Sequence, residues 1–160
     1  MDWRRLPDLG PRGEGWFAAQ VVLFAVIAVS GATGPAWGGL ARSIGIAVGG
    51  LLICCGGLLS VRGLLDIREN LTPFPKPMDG ALLVEAGAYR LVRHPIYGGL
   101  ILGAVGWGFA TSSPLTLAAS LLLAAFFDLK SRREELWLAD RYAGYPAYRS
   151  RTRRLIPWVY

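Results

Sequence analysis

The chain is 160 residues long, 53% hydrophobic and only 18% charged, with a formal net charge of +6 and a positive mean hydropathy. That length allows one domain, and a compact soluble protein fits that balance poorly, so the bilayer is the better solvent for most of it. The cationic excess does not call for nucleic acid: no RNA- or DNA-binding motif is present, and anionic headgroups with a one-sided placement of Lys and Arg account for it.

The first apolar run lies between Glu14 and Arg42, 27 residues without a charge, and the second between Arg42 and Arg62, another 19. Each holds one membrane helix of about 20 residues. A cleaved signal peptide is the competing reading of the first run, because Arg4 and Arg5 precede it and "VSGA" ends it in small residues. The stretch is too long for a signal core, and Trp37 reads as an interfacial residue. In the second run, "VGGLLICCGG" supplies small residues for close helix packing. Adjacent Cys54 and Cys55 cannot easily bridge each other and carry no metal spacing, so both read as packing residues. With one histidine and no CxxC pair, no metal site is expected.

Residues 1–65 thus form the N-terminal membrane helices, and residues 66–160 carry the chemistry. Pro73, Pro75 and Pro77 exclude a regular helix, so a stiff extended loop leads to "YRLVRHPIYGG" at residues 89–99, which contains the only histidine, His94. Pro95 opens a helix there. The 33 uncharged residues that follow are punctuated by "ATSSPLT". They read as a helical hairpin with arms of about 15 residues, each about 22 Å long and short of a bilayer core of about 30 Å. The arms must tilt, extend or thin the membrane. Gly98 and Gly99 serve helix packing or let a ligand approach the backbone.

Beyond the hairpin, "SRREELWLADRYA" has helix-forming composition and puts Arg132, Glu135 and Ala139 near one face. Pairs such as Arg132 with Glu135 would, taken alone, be a solvated surface. Tyr145, Tyr148 and Trp158 read as interfacial anchors, and Arg151, Arg153 and Arg154 as headgroup contacts. Sixteen of the seventeen Lys and Arg residues fall in the N-terminal segment, residues 62–94 and the tail from Lys130; only Arg42 lies in the first link. With the majority inside, the chain is an all-α integral membrane protein of about four transmembrane helices, both termini cytoplasmic, in the cell membrane of a bacterium or the endoplasmic reticulum of a eukaryote.

Over residues 66–157 the chain resembles the isoprenylcysteine carboxyl methyltransferase family and its phospholipid-methyltransferase relatives. The resemblance rests on "NLTPFP", "LVEAGAYRLVRHPIY", the apolar hairpin, "RREE" and the tyrosines followed by a basic stretch and "IP". Two positions depart from the family pattern, Ala88 in Gly-Ala-Tyr-Arg and Tyr142-Ala143 after the acidic pair. The resemblance implies methyl transfer from S-adenosyl-L-methionine to a lipophilic or amphiphilic acceptor, a prenylcysteine-like carboxylate or a phospholipid amine, leaving S-adenosyl-L-homocysteine. It also implies a cofactor pocket roofed by a cytoplasmic C-terminal helix and loop.

The residue types suit that cofactor, which carries a carboxylate, an ammonium, a sulfonium and an adenine. Arg93 and His94 offer donors, Glu134 and Glu135 a carboxylate, and Tyr89, Tyr97 and the Gly98 backbone a wall. His94, Glu135 and Arg93 are the expected catalytic residues. A carboxylate acceptor is already ionised at neutral pH and needs no base, whereas an amine or thiol would need His94 or a glutamate. The other classes are a non-catalytic lipid-binding or transport module and, less favoured, a lipid reductase. The first would be marked by an ionisable residue within a membrane run, and residues 15–41, 43–61 and 95–127 hold none.

Overall fold

A computed structural model of the chain describes residues 6–33 and 37–160; Arg4 and Arg5, counted above among the N-terminal cations, lie outside the described residues. Five α-helices follow in order: α1 (Glu14–Thr33), α2 (Gly39–Ile67), α3 (Pro95–Ala110), α4 (Pro114–Arg141) and α5 (Tyr145–Arg151). Three of them, α1, α2 and α4, are long and apolar enough to cross a membrane, and α3 is a shorter apolar helix of 16 residues. The protein is therefore an all-α integral membrane protein.

The hairpin forms where the punctuation puts it. Pro114 occupies the first turn of α4, and the Ser113 side chain caps that turn by accepting from the Thr116 amide at 3.2 Å. Its two arms are unequal, because α4 runs unbroken for 28 residues through the acidic pair. The expected separate roof helix is thus the upper half of the second arm, since "KSRREELWLAD" contains no residue that stops a helix once one has started. The tail adds the short α5 instead.

Packing in the apolar half follows from residue size. A Cβ on Gly56 would stand 2.5 Å from the Gly99 carbonyl oxygen, and one on Gly49 would stand 2.5 Å from that of Gly106. Lipid tails are as apolar as leucine, so close backbone contact, not exclusion from water, holds α2 against α3. The opposite face of α2 leaves Leu51, Leu58, Val61 and Leu65 exposed, as a lipid-facing surface requires. Cys54 and Cys55 are also exposed there, which corrects their reading as packing residues. Between α1 and α4 the contact is partly polar: Ser30 and Thr116 hydroxyls lie 2.8 Å apart, and the Ser113 hydroxyl donates to the Ser30 carbonyl at 3.2 Å. Ile27, Ile101, Leu123 and Phe127 fill the centre of the bundle.

At the other end, the tail closes over the loop. Among the described residues the one strand-like pairing is a bridge between Val92 and Arg153, extended by the amides of Arg93 and His94, which donate to the Arg153 and Arg154 carbonyls at 2.9 Å each. The "RHP" corner and the basic tail are therefore one piece of structure, although about sixty residues separate them.

Candidate functional site

The corner is built by a turn that only glycine enters easily. Gly87 sits at φ +60°, and a Cβ there would collide with the Asp66 carboxylate, which instead accepts from the Ala88 amide at 2.7 Å. This turn carries Tyr89 into the interior, where its carbonyl accepts from the Tyr148 hydroxyl at 2.7 Å. His94 then forms the N-cap of α3, with Pro95 in the first turn.

Beneath the corner lies a buried cluster of charges. Glu135, 3% exposed, receives the Arg93 Nε at 2.8 Å and the Arg154 Nε at 3.3 Å on the same oxygen, with the Arg149 Nε at 3.6 Å from the other. His94 Nε2 stands 3.5 Å away without forming a hydrogen bond. Arg93 also donates to the Arg149 carbonyl at 3.1 Å and to the Thr152 carbonyl. Arg154 reaches Asp128 at 3.0 Å, which in turn accepts from the Tyr160 hydroxyl at 2.9 Å. A buried carboxylate is tolerated only when paired and hydrogen-bonded. This one ties α4, the corner and the tail together.

Above the cluster is a cavity of ≈ 190 Å³. One wall is the proline loop, Pro73 to Pro75; another is Tyr89, Tyr145 and Tyr148; the polar face is His94, Tyr97, Lys130 and Glu134. The Tyr97 hydroxyl donates to Glu134 at 2.9 Å, and His94 Nδ1 is 3.7 Å from the same carboxylate oxygen. The rings of His94, Tyr97 and Phe127 form a stack, with centroids 5.4 and 4.6 Å apart. Burial, with nearby carboxylates, pushes the Tyr89 and Tyr145 phenols well above their ordinary range, so both remain O–H donors at neutral pH. The Tyr145 hydroxyl is buried and has no hydrogen-bond partner among the described residues.

The model of a family described as phospholipid methyltransferase matches residues 44–144, well over half of the chain. The chain belongs to this family. Among curated relatives of this family member, two described as probable protein-S-isoprenylcysteine O-methyltransferase, from Oryza sativa subsp. indica and subsp. japonica, are each 34% identical over 79 residues, which is 48% of this chain and 41% of theirs. The cobalt-zinc-cadmium resistance protein CzcN of Cupriavidus metallidurans is 34% identical over 76 residues, 47% of this chain and 35% of its own. The chain thus spans less than half the length of the curated relatives it matches.

Within this phospholipid-methyltransferase fold, the expected site residues separate into two groups. Tyr89, Arg93, His94, Tyr97 and Glu134 border the cavity, whereas Glu135 belongs to the charge cluster below it. Gly98 faces neither; its missing side chain makes room for the Leu155 carbonyl of the tail. Arg132 does not pair with Glu135 but with Asp128, at 2.7 Å. Three readings of the tail are corrected by burial: Tyr145 is 1% and Tyr148 2% exposed, and Arg154 is 8% exposed, so none is an interfacial anchor or headgroup contact. Trp158, 82% exposed, keeps that reading. Lys130 and Gln20 were missed. Lys130 lies one helical turn before Glu134 and so shares its face, a signal available from spacing; Gln20 is the single glutamine of the chain and lies within an apolar helix.

Proposed function

We propose that the protein is a membrane methyltransferase that uses S-adenosyl-L-methionine to methylate a lipophilic or amphiphilic acceptor. The single observation that carries the reading is the Tyr97–Glu134 hydrogen bond across the cavity wall, which joins the "RHPxY" and acidic-pair segments around one space. The fit to the cofactor rests on the donor set. A buried Tyr145 hydroxyl without a partner, the His94 edge and the Glu134 carboxylate offer two donors and one anion to a molecule that carries both a carboxylate and an ammonium.

When bound, S-adenosyl-L-methionine would supply a methyl on positive sulfur for displacement by the acceptor's nucleophilic atom, with the electron pair of the broken carbon–sulfur bond left on sulfur. The protein's part is positioning and exclusion of water. Glu134 would hold the ammonium, its carboxylate oriented by the Tyr97 hydroxyl that already donates to it. Arg93 and Glu135 are positioning residues: their ion pair seats the tail, and with it Tyr145 and Tyr148, against the corner. His94 lines the reaction space between Tyr97 and Glu134.

The loop, the corner and the tail meet at one end of the helices, which supports a four-span topology with both termini cytoplasmic. Reporter fusions at residues 1, 38, 80 and 160 will then place position 38 alone outside. Calorimetry in detergent tests the activity class: S-adenosyl-L-homocysteine binds at micromolar levels, and folded protein that binds neither it nor the methyl donor is instead a non-catalytic membrane module.

A further inference from the structure

The pairing of the corner with the tail has two faces. Arg153 and Arg154, successive residues of the paired tail, point to opposite sides of it. On the inner side Arg154 and Arg93 are buried against Glu135; on the outer side Arg153 and Arg90 are exposed. There a groove of ≈ 430 Å³ runs between corner and tail, lined by Arg90, Leu91, Arg151, Thr152, Arg153 and Trp158 among others. It shares no lining residue with the cavity beside His94. Arg151 has its own counterion in the Glu85 carboxylate. Arg90 and Arg153 have no carboxylate within ion-pair distance among the described residues.

The groove lies at the level of the membrane surface. Just past Arg153 and Arg154, the Leu155 carbonyl packs against Gly98, one turn inside α3, so the tail runs beside the membrane end of that helix. Leu91 and Trp158 in the groove and Val159 next to it are exposed, at 45%, 82% and 74%. Bare apolar side chains beside arginines without a counterion match the boundary between headgroups and acyl chains, where tryptophan is enriched and arginine keeps its charge in the wet layer.

We propose that this groove binds the phosphate head of an anionic phospholipid, at a site separate from the cavity, and that the bound lipid braces the roof. A phosphodiester presents two charged oxygens of the kind a guanidinium fork reads. With Arg90 on the corner and Arg153 on the tail, one phosphate spans the seam that the Val92–Arg153 bridge closes. It does on the outer face what the Glu135 carboxylate does on the inner one, where that group joins Arg93 to Arg154. The exposed apolar rim selects a lipid over free phosphate, because acyl chains cover it. Charge selects an anionic lipid over a zwitterionic one, whose own cation meets the arginines as a like charge. The inference stands apart from the methyl-transfer reading, since neither arginine borders the cavity.

The test is thermal unfolding of the whole protein in a non-ionic detergent with phosphatidylglycerol, phosphatidylcholine or inorganic phosphate added. Phosphatidylglycerol should raise the unfolding midpoint, and the other two should not. An arginine facing an anionic headgroup changes affinity roughly fivefold, which corresponds to about 1 kcal/mol. The double variant Arg90→Gln, Arg153→Gln should therefore need roughly twenty- to thirtyfold more phosphatidylglycerol for half of the effect. Arg42→Gln, which removes one charge at the far end of α2, should titrate as the parent does. A parent that phosphatidylglycerol stabilises no more than phosphatidylcholine does overturns the proposal without recourse to any variant. So does a double variant that titrates like the parent, or an Arg42→Gln protein weakened as much as the double variant, because the lipid then answers to net charge alone. Equal stabilisation by inorganic phosphate overturns the lipid assignment in favour of a free-anion site.

Discussion

The two ends of this molecule are held together by opposite means. Where α2 meets α3, side chains have been removed until backbones touch, as at Gly56 and Gly99. Where α4 meets the tail, long charged side chains have been buried instead, with Arg93, Arg154 and Glu135 all under a tenth exposed. The first contact is generic in chemistry, since it needs only glycines at helical spacing and no particular partner group. The second depends on named partners, because a buried carboxylate that loses its ion-pair and hydrogen-bond partners is strongly destabilising. The cavity sits at the second end.

The largest effect should come from breaking the charged end. Glu135→Gln leaves Arg93 and Arg154 buried without their shared anion, and breaking a buried pair in this way costs about 3–5 kcal/mol. Thermal unfolding followed by circular dichroism in detergent should show a large fall in the midpoint, with ligand binding lost in parallel. A variant as stable as the parent would mean that the cluster is solvated and does not hold the roof. Next to it in sequence, Glu134→Gln should behave differently. It removes a charge-assisted contact to the cofactor's ammonium and weakens S-adenosyl-L-homocysteine binding by about 1.5–3 kcal/mol, with an unchanged unfolding midpoint. If the two variants exchange behaviours, the positioning and binding roles are exchanged as well.

That adjacent pair also marks how far the sequence could be read. Charge-free runs, Pro95 and Pro114 place four helices because each acts locally, through hydrophobicity or a fixed φ. "RREE" points to a functional segment, but neighbours on a helix face directions about 100° apart. Which glutamate meets the cavity is decided by where Arg93 and Arg154 arrive, and that depends on the pairing of residues 92–94 with 153–154. The same tertiary pairing buries Tyr145 and Tyr148, whose composition alone matches an aromatic belt. Lys130 was hidden for a related reason: a cation ending an apolar run resembles a topology signal until Gln20 is seen across from it.

The generic end is tested by two glycines side by side. A Cβ at Gly56 meets the Gly99 carbonyl oxygen at 2.5 Å, while one at Gly57 meets nothing within 4 Å. Both substitutions to alanine gain the same helix propensity, so their difference isolates the seam. Gly56→Ala should be less stable than Gly57→Ala by about 1–3 kcal/mol, the usual cost of overpacking, when the two are unfolded under identical detergent conditions. Equal stability would show that α2 and α3 have room to separate.

The smallest effect should be the most telling, because its sign reverses with ligand. Tyr145 is 1% exposed and its hydroxyl has no partner among the described residues. Its phenol is held protonated by burial, so it is a donor with nothing to donate to. Tyr145→Phe removes that group and leaves the ring, which meets Tyr148 edge-on at 5.9 Å. Without ligand the variant should therefore be as stable as the parent or more stable, by up to about 1 kcal/mol, since an unsatisfied buried polar group is a cost. With ligand the balance turns: a neutral hydrogen bond contributes about 0.5–1.5 kcal/mol, so S-adenosyl-L-homocysteine should bind the variant several-fold more weakly. Unfolding midpoints with and without saturating ligand measure both terms on one sample. A Tyr145→Phe protein destabilised in both states would mean that the hydroxyl braces the roof and plays no part in holding a ligand.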